Sequence, residues 1–132
     1  MALSTDKCET IFDKEQLSTI FPPSTSNEFF DALLGDASEG AYDIELGFRS
    51  VTGDRLTMEF RLHQRPGCCL ACNLTQGLPQ VFSRHPVIDA AGVVKKIDAL
   101  LAEEASCKEW SLGATEQRSE ALHIVPLFIE LA

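Results

Sequence analysis

Three of the five cysteines, Cys68, Cys69 and Cys72, stand within five residues of one another. Cys69 and Cys72 form a C-x-x-C pair. Two thiolates at that spacing suit zinc or an iron–sulfur cluster, and the same spacing at a helix start suits dithiol redox chemistry. A closed zinc site needs four ligands. Cys68 and His63 are the nearest candidates to complete it, with His85 and Cys107 further along the chain. No second C-x-x-C and no H-x-x-x-H accompanies the pair, so the pattern falls short of a full zinc knuckle. An iron–sulfur cluster would need Cys68 or Cys107 to join. Asn73 follows Cys72 where covalent haem attachment requires histidine, which excludes c-type haem. For redox chemistry, a helix N-terminus and nearby arginines would lower the thiol pKa. Against it, no β-α-β unit precedes the motif, and Cys68 replaces the aromatic residue usual there. The plainer reading is structural. At i and i+3, Cys69 and Cys72 share one face of a short helix, where cysteine packs as a small hydrophobe beside Leu70, Leu74, Val81 and Phe82.

The cysteines lie in a basic island. The whole chain has 11 Lys+Arg against 20 Asp+Glu, a net charge of −9. From Arg61 to Lys96 there are five basic residues and one acid, Asp89, a net of +4, so the rest of the chain carries −13. Arg61, Arg65 and Arg84, with His85, are candidates to hold a phosphate, a carboxylate or an acidic partner surface. No P-loop and no G-x-G-x-x-G is present, so a nucleotide is not indicated. The acidic remainder argues against nucleic acid as a partner.

Other chemistry finds little support. No nucleophile elbow surrounds a serine. Asp31, Asp36, Glu39 and Asp43 read as a solvated acidic stretch and lack the spacing of a calcium loop. No apolar run approaches the roughly 20 residues of a membrane span. MALSTDKCET contains no apolar core of a secretory leader, and an odd, crowded cysteine set does not resemble a secreted disulfide framework. A cytoplasmic protein is expected.

The elements that must position these groups follow from hydrophobic period. A composition of 45% hydrophobic and 23% charged residues over 132 residues suits one globular domain. Residues 1–12 read as a flexible N-terminal lead, and 13–132 as the domain. Asp13 with Gln16, and Thr25 with Glu28, have capping-box spacing for two helices. Pro22-Pro23 ends the first, and Gly35 suits the left-handed position after the second. Period two then takes over. Tyr42, Ile44, Leu46 and Phe48 alternate with polar residues, as do Leu56, Met58, Phe60 and Leu62, around a turn at Thr52-Gly53-Asp54. Pairing Glu45 with Arg61 and Asp43 with His63 sets opposite charges across the strands. The alternative register opposes Glu45 to Glu59 and Arg49 to Arg55, so the first is expected.

A short helix is expected over about Cys69–Gln76, ending at Gly77, and another helical turn opens at Pro79. Asp89 caps the longest helix, whose buried stripe is Val93, Val94, Ile97, Leu100 and Leu101 and whose last turn takes in Glu103 and Glu104. Trp110, Leu112 and Ala114 alternate as a strand. Leu122–Leu131 is apolar on both faces, with Pro126 placing that strand at a sheet edge or at a bulge. Either helices cover both of its sides, or a homodimer through this strand buries its second face.

These patterns predict a single α+β domain, with an antiparallel sheet of about four strands in two hairpins covered by helices. The expected function is that of a small, soluble, non-enzymatic binding or accessory protein. Its segment 61–85 would contact an anionic ligand or an acidic partner, with no cofactor. The alternative is a thiol- or metal-dependent protein built on Cys69 and Cys72.

Overall fold

The structure, a computed structural model, describes residues 4–35, 42–66, 78–102, 105–119 and 121–132. Strands β1 (Tyr42–Thr52) and β2 (Arg55–Gln64) form a hairpin. Gly53 occupies its turn at φ +57°, a conformation that costs glycine little. Glu45 lies opposite Arg61 and Asp43 opposite His63, the register that cross-strand charge predicts. The register holds as far as Phe48 opposite Met58, and the next pair is Ser50 with Thr57. Arg49 is therefore an extra residue on β1, a β-bulge. Beyond it the parity of β1 is reversed, and Val51, not an even-numbered residue, meets Leu56 on the core side.

Among the described residues the sheet has five antiparallel strands, four of them in the order β1-β2-β5-β3. Here β3 is Cys107–Leu112, β5 is Leu122–Leu131, and the two-residue β4, Glu116–Gln117, also pairs with β5. The chain is thus α+β, with one strand more than the two hairpins expected. The position of β5 corrects another expectation. It is neither an edge strand nor bulged at Pro126, which pairs opposite Glu59 in an unbroken ladder with β2. Proline is tolerated because its nitrogen faces a break on the other side. The neighbouring strand is divided into β3 and β4, and between them Gly113 N–H donates to the Pro126 carbonyl at 2.9 Å. No ladder donor is required of residue 126 on that side.

One sheet face is apolar and takes the helices. Leu56, Met58, Phe60 and Leu62 meet Val125, Leu127 and Ile129, all fully buried. Above them lie α2 (Lys14–Ile20), α3 (Thr25–Leu34), α4 (Leu78–Arg84) and α5 (Ala90–Leu101). Phe82 meets Phe29 and Phe60 edge-on, with ring centroids 5.7 and 5.5 Å apart, the geometry favoured by aromatic quadrupoles.

Several helix ends follow the sequence signals. Asp13 accepts from Gln16 N–H at 2.8 Å, Gly35 ends α3 at φ +81°, and Asp89 caps α5 by accepting from Gly92 N–H at 3.2 Å. The capping box expected at Thr25 and Glu28 is not formed. Ser24 holds the N-cap position without a side-chain bond, and Pro22 and Pro23 carbonyls accept from the Thr25 and Ser26 amides instead. The helix expected over Cys69–Gln76 and the residues Glu103 and Glu104 lie outside the described residues, and α5 ends at Leu101.

The N-terminal residues carry a helix of their own. Thr5–Ile11 form α1, capped by Ser4, which accepts from Lys7 N–H at 3.2 Å. Cys8 is fully buried and Phe12 nearly so, its ring 5.9 Å from that of Phe48. Seven residues are too few to hold a helix by local propensity, and tertiary contact with β1 supplies what the local sequence does not. Phe12→Ala is expected to cost about 3 kcal/mol of stability by leaving a cavity against Phe48. Urea unfolding checks this: a lead that does not pack would leave the midpoint unchanged.

Candidate functional site

Among the described residues, the second sheet face carries charge and no helix. Odd-numbered residues of β2 point to it, and Glu59 stands at its centre, only 7% exposed. Its carboxylate accepts from Arg49 Nε and from Arg61 Nε, each at 2.7 Å. Arg49 turns its two terminal nitrogens to Glu116, at 2.9 and 3.0 Å, and Glu116 also accepts from Arg118 at 2.8 Å. On the other side Arg61 approaches Glu45 at 3.6 Å, and Glu45 lies 3.0 Å from His63 Nε2. Seven side chains thus form one alternating row across β4, β1 and β2.

The bulge places Arg49 in this row. As the extra residue on its strand, it reaches both Glu59 on β2 and Glu116 on β4. Burial alone would raise the Glu59 pKa, but the hydrogen bonds and charges of Arg61 and Arg49 outweigh it and hold the carboxyl below its ordinary value. Glu116 is lowered chiefly by its hydrogen bond from Arg49, with burial opposing and Arg118 assisting. Arg49 shows the reciprocal effect: burial works against its charge, and the bonds to Glu116 and Glu59 more than restore it.

Beside this row lies a groove of about 400 Å³, between β1 and the α1–α2 corner. Phe12, Leu17, Phe21, Leu46 and Phe48 give it an apolar floor, while Lys14, Arg49, Arg61, Glu9 and Glu45 stand at its margins. Among the described residues β1 is an edge strand, and one of its sides has no sheet partner. Ile44 shows which backbone groups point that way. Its N–H donates to the buried Ser26 hydroxyl at 2.7 Å, away from β2. Alternate residues of a strand point their backbone groups to the same side, so Leu46 and Phe48 present theirs to the groove. Ser26 closes the edge at Ile44.

Arg61 connects the groove to the charged face. Its guanidinium lies across Gly47, where a Cβ would come within 2.4 Å of Arg61 Cζ. Its terminal Nη2 reaches the Phe48 carbonyl at 3.5 Å. Only glycine at position 47 leaves room for this path.

The other expected residues are dispersed. Arg65 is held by Asp43 at 3.0 Å and Asn27 at 2.8 Å, with its guanidinium 5.4 Å from the Phe30 ring centroid. Arg84 and His85 line a separate shallow depression with Gln80, Val81 and Pro86. His85 Nδ1 accepts from Val87 N–H at 3.2 Å and its ring packs 4.9 Å from Phe29, so it shapes the α4–α5 turn. His63 is spent on Glu45. The candidate thiols Cys68, Cys69 and Cys72 lie outside the described residues. Among the described residues, no three His, Cys, Asp or Glu side chains are grouped to hold a metal. Burial pushes the Cys8 thiol up to about 11, and burial with the Asp98 carboxylate does the same for Cys107, so both stay protonated near neutrality. Among the described residues, no helix is long and apolar enough to cross a membrane.

No protein-family model, curated protein or solved structure matches the chain. Sequence reasoning found Arg61 but missed Lys14, Arg49 and Gly47, which meet it only through the sheet edge and the α1–α2 corner.

The row of charges sets an acid sensitivity. Glu59 and Glu116 bind protons less readily folded than unfolded. Their stabilisation is complete above the ordinary glutamate pKa of about 4.3 and is lost as pH falls through and below that value. Urea unfolding across this range is expected to show stability dropping on the acid side, with a shallower slope in Glu59→Gln. Parallel slopes would show that Glu59 contributes nothing to it. At neutral pH, Glu59→Ala is expected to cost about 2–3 kcal/mol, less than the roughly 3–5 kcal/mol of a fully buried pair, because both arginines keep some solvent.

Proposed function

We propose that this chain is a small, non-enzymatic binding protein that takes an extended peptide segment of a partner into the groove along β1. The observation that carries this reading is the outward backbone edge at Leu46 and Phe48, set beside a ready-made, apolar-floored groove of about 400 Å³. Strand addition uses this combination. Main-chain hydrogen bonds supply affinity, and alternate side chains of the incoming strand enter the adjoining pockets. The row Arg49–Glu59–Arg61 supports the reading by fixing the edge strand from its other side, so that little ordering remains to be done on binding. The basic segment expected to engage a partner enters this proposal through Arg61, which borders the groove. Arg84 and His85 belong to another surface.

The test starts with peptides selected from a random-sequence display library. Their backbone nitrogens are methylated one at a time. An added strand donates through alternate nitrogens, so affinity is expected to fall about tenfold at every second position and little between. Ser18→Trp, which fills the groove from α2, is expected to abolish binding while leaving the fold intact by circular dichroism. Equal responses at all nitrogens, or undiminished binding to Ser18→Trp, would overturn the proposal.

A further inference from the structure

Arg61 is held unequally along its guanidinium. Nε is fixed by Glu59 at 2.7 Å, whereas Nη1 and Nη2 have only long contacts, 3.6 Å to Glu45 and 3.5 Å to the Phe48 carbonyl. The group is anchored at its root and loosely occupied at its fork. That fork lies over Gly47, at the groove margin. Arg49 is the contrast: Nε and both terminal nitrogens are engaged at 3.0 Å or less.

Lys14 adds a second cation to the groove lining. It opens α2 two residues after Phe12, whose ring stacks on Phe48, and it lines the groove. Among the described residues, no carboxylate lies within 4 Å of its ammonium. The groove lining thus combines a loosely engaged guanidinium fork with an ammonium that has no carboxylate partner among the described residues, and it also includes the carboxylates Glu9 and Glu45.

We infer that the peptide taken by the β1 groove is acidic, and that one of its side-chain carboxylates is received by the Arg61 fork over Gly47, with Lys14 beside it. This rests on the peptide-binding reading above. Arg61 exchanges two long contacts for a two-point contact with the incoming carboxylate, while Nε stays on Glu59. Planar guanidinium and carboxylate match in such pairs, which a lysine at position 61 would not reproduce. The peptide amide that meets the Phe48 carbonyl then takes the place that Nη2 leaves. Recognition of the backbone and recognition of the charge are therefore one event at one end of the groove. Glycine at position 47 is the specificity-determining residue, because a methyl group there would collide with the guanidinium.

The experiment uses the display-selected peptides. The selected pool is expected to be enriched in Asp or Glu at one position relative to the library, and replacing that residue by Asn or Gln in the synthetic peptide is expected to weaken binding about tenfold. Gly47→Ala and Arg61→Lys are expected to erase the difference between the acidic peptide and its amide counterpart, with backbone methylation still felt at alternate nitrogens. The peptide-side substitution leaves the protein unaltered, so it decides the matter even if a variant fails to fold. Alternate-nitrogen sensitivity without acidic enrichment, or an acid-to-amide difference that survives both variants, overturns the carboxylate inference and leaves the peptide groove standing. Failure to select any peptide, or binding indifferent to Ser18→Trp, overturns the groove itself and this inference with it.

Discussion

The Glu59 carboxylate, clamped between Arg49 and Arg61, organises the face of the sheet that the helices leave uncovered. Each arginine reaches it from a different strand position, one from a bulge and one from its own strand two residues on. A carboxylate so enclosed is costly to desolvate and is retained only because two guanidinium groups satisfy it. The arrangement fixes more than a charge. It pins the bulge that reverses the parity of β1, ties β1 to β4 through Glu116, and holds Arg61 across Gly47 toward the groove. The apolar core on the opposite face provides the bulk of the burial, but the placement of groups along the β1 edge depends on this row.

Local structure was largely legible in the sequence because local signals have local causes. Asp13, Gly35 and Asp89 mark helix ends through bonds or backbone conformations within a few residues of themselves. The hairpin register was legible because a slip would set Glu45 against Glu59. The bulge left a single sign, the apolar positions passing from even at Phe48 to odd at Val51, and one residue beside the turn is too short a run to establish a new phase. Pro126 misled for a related reason. Its rule concerns missing donors, and whether a donor is needed depends on a neighbouring strand that breaks at Gly113. Likewise α1 owes its helix to Phe48, thirty-six positions from Phe12.

The groove was the least legible part. Arg61 stood out as part of a basic island, and the described members of that island have separate partners. Arg65 is taken up by Asp43 and Asn27, and Arg84 lies on another surface. The residues that do gather, Lys14, Arg49 and Arg61, come from acidic and basic stretches alike. Charge along a chain and charge around a cavity are different quantities, and only the second bears on recognition.

The Ser26 hydroxyl under Ile44 has a consequence for the life of the protein in concentrated solution. An exposed strand edge invites copies of the same chain to stack on it without limit. Here the edge is stoppered at one end by Ser26 and twisted away at the other by the bulge at Arg49. The stretch between them is shorter than the about six or seven residues that stacked, zippered strands require. The exposed part of this edge is thereby too short to seed a fibre.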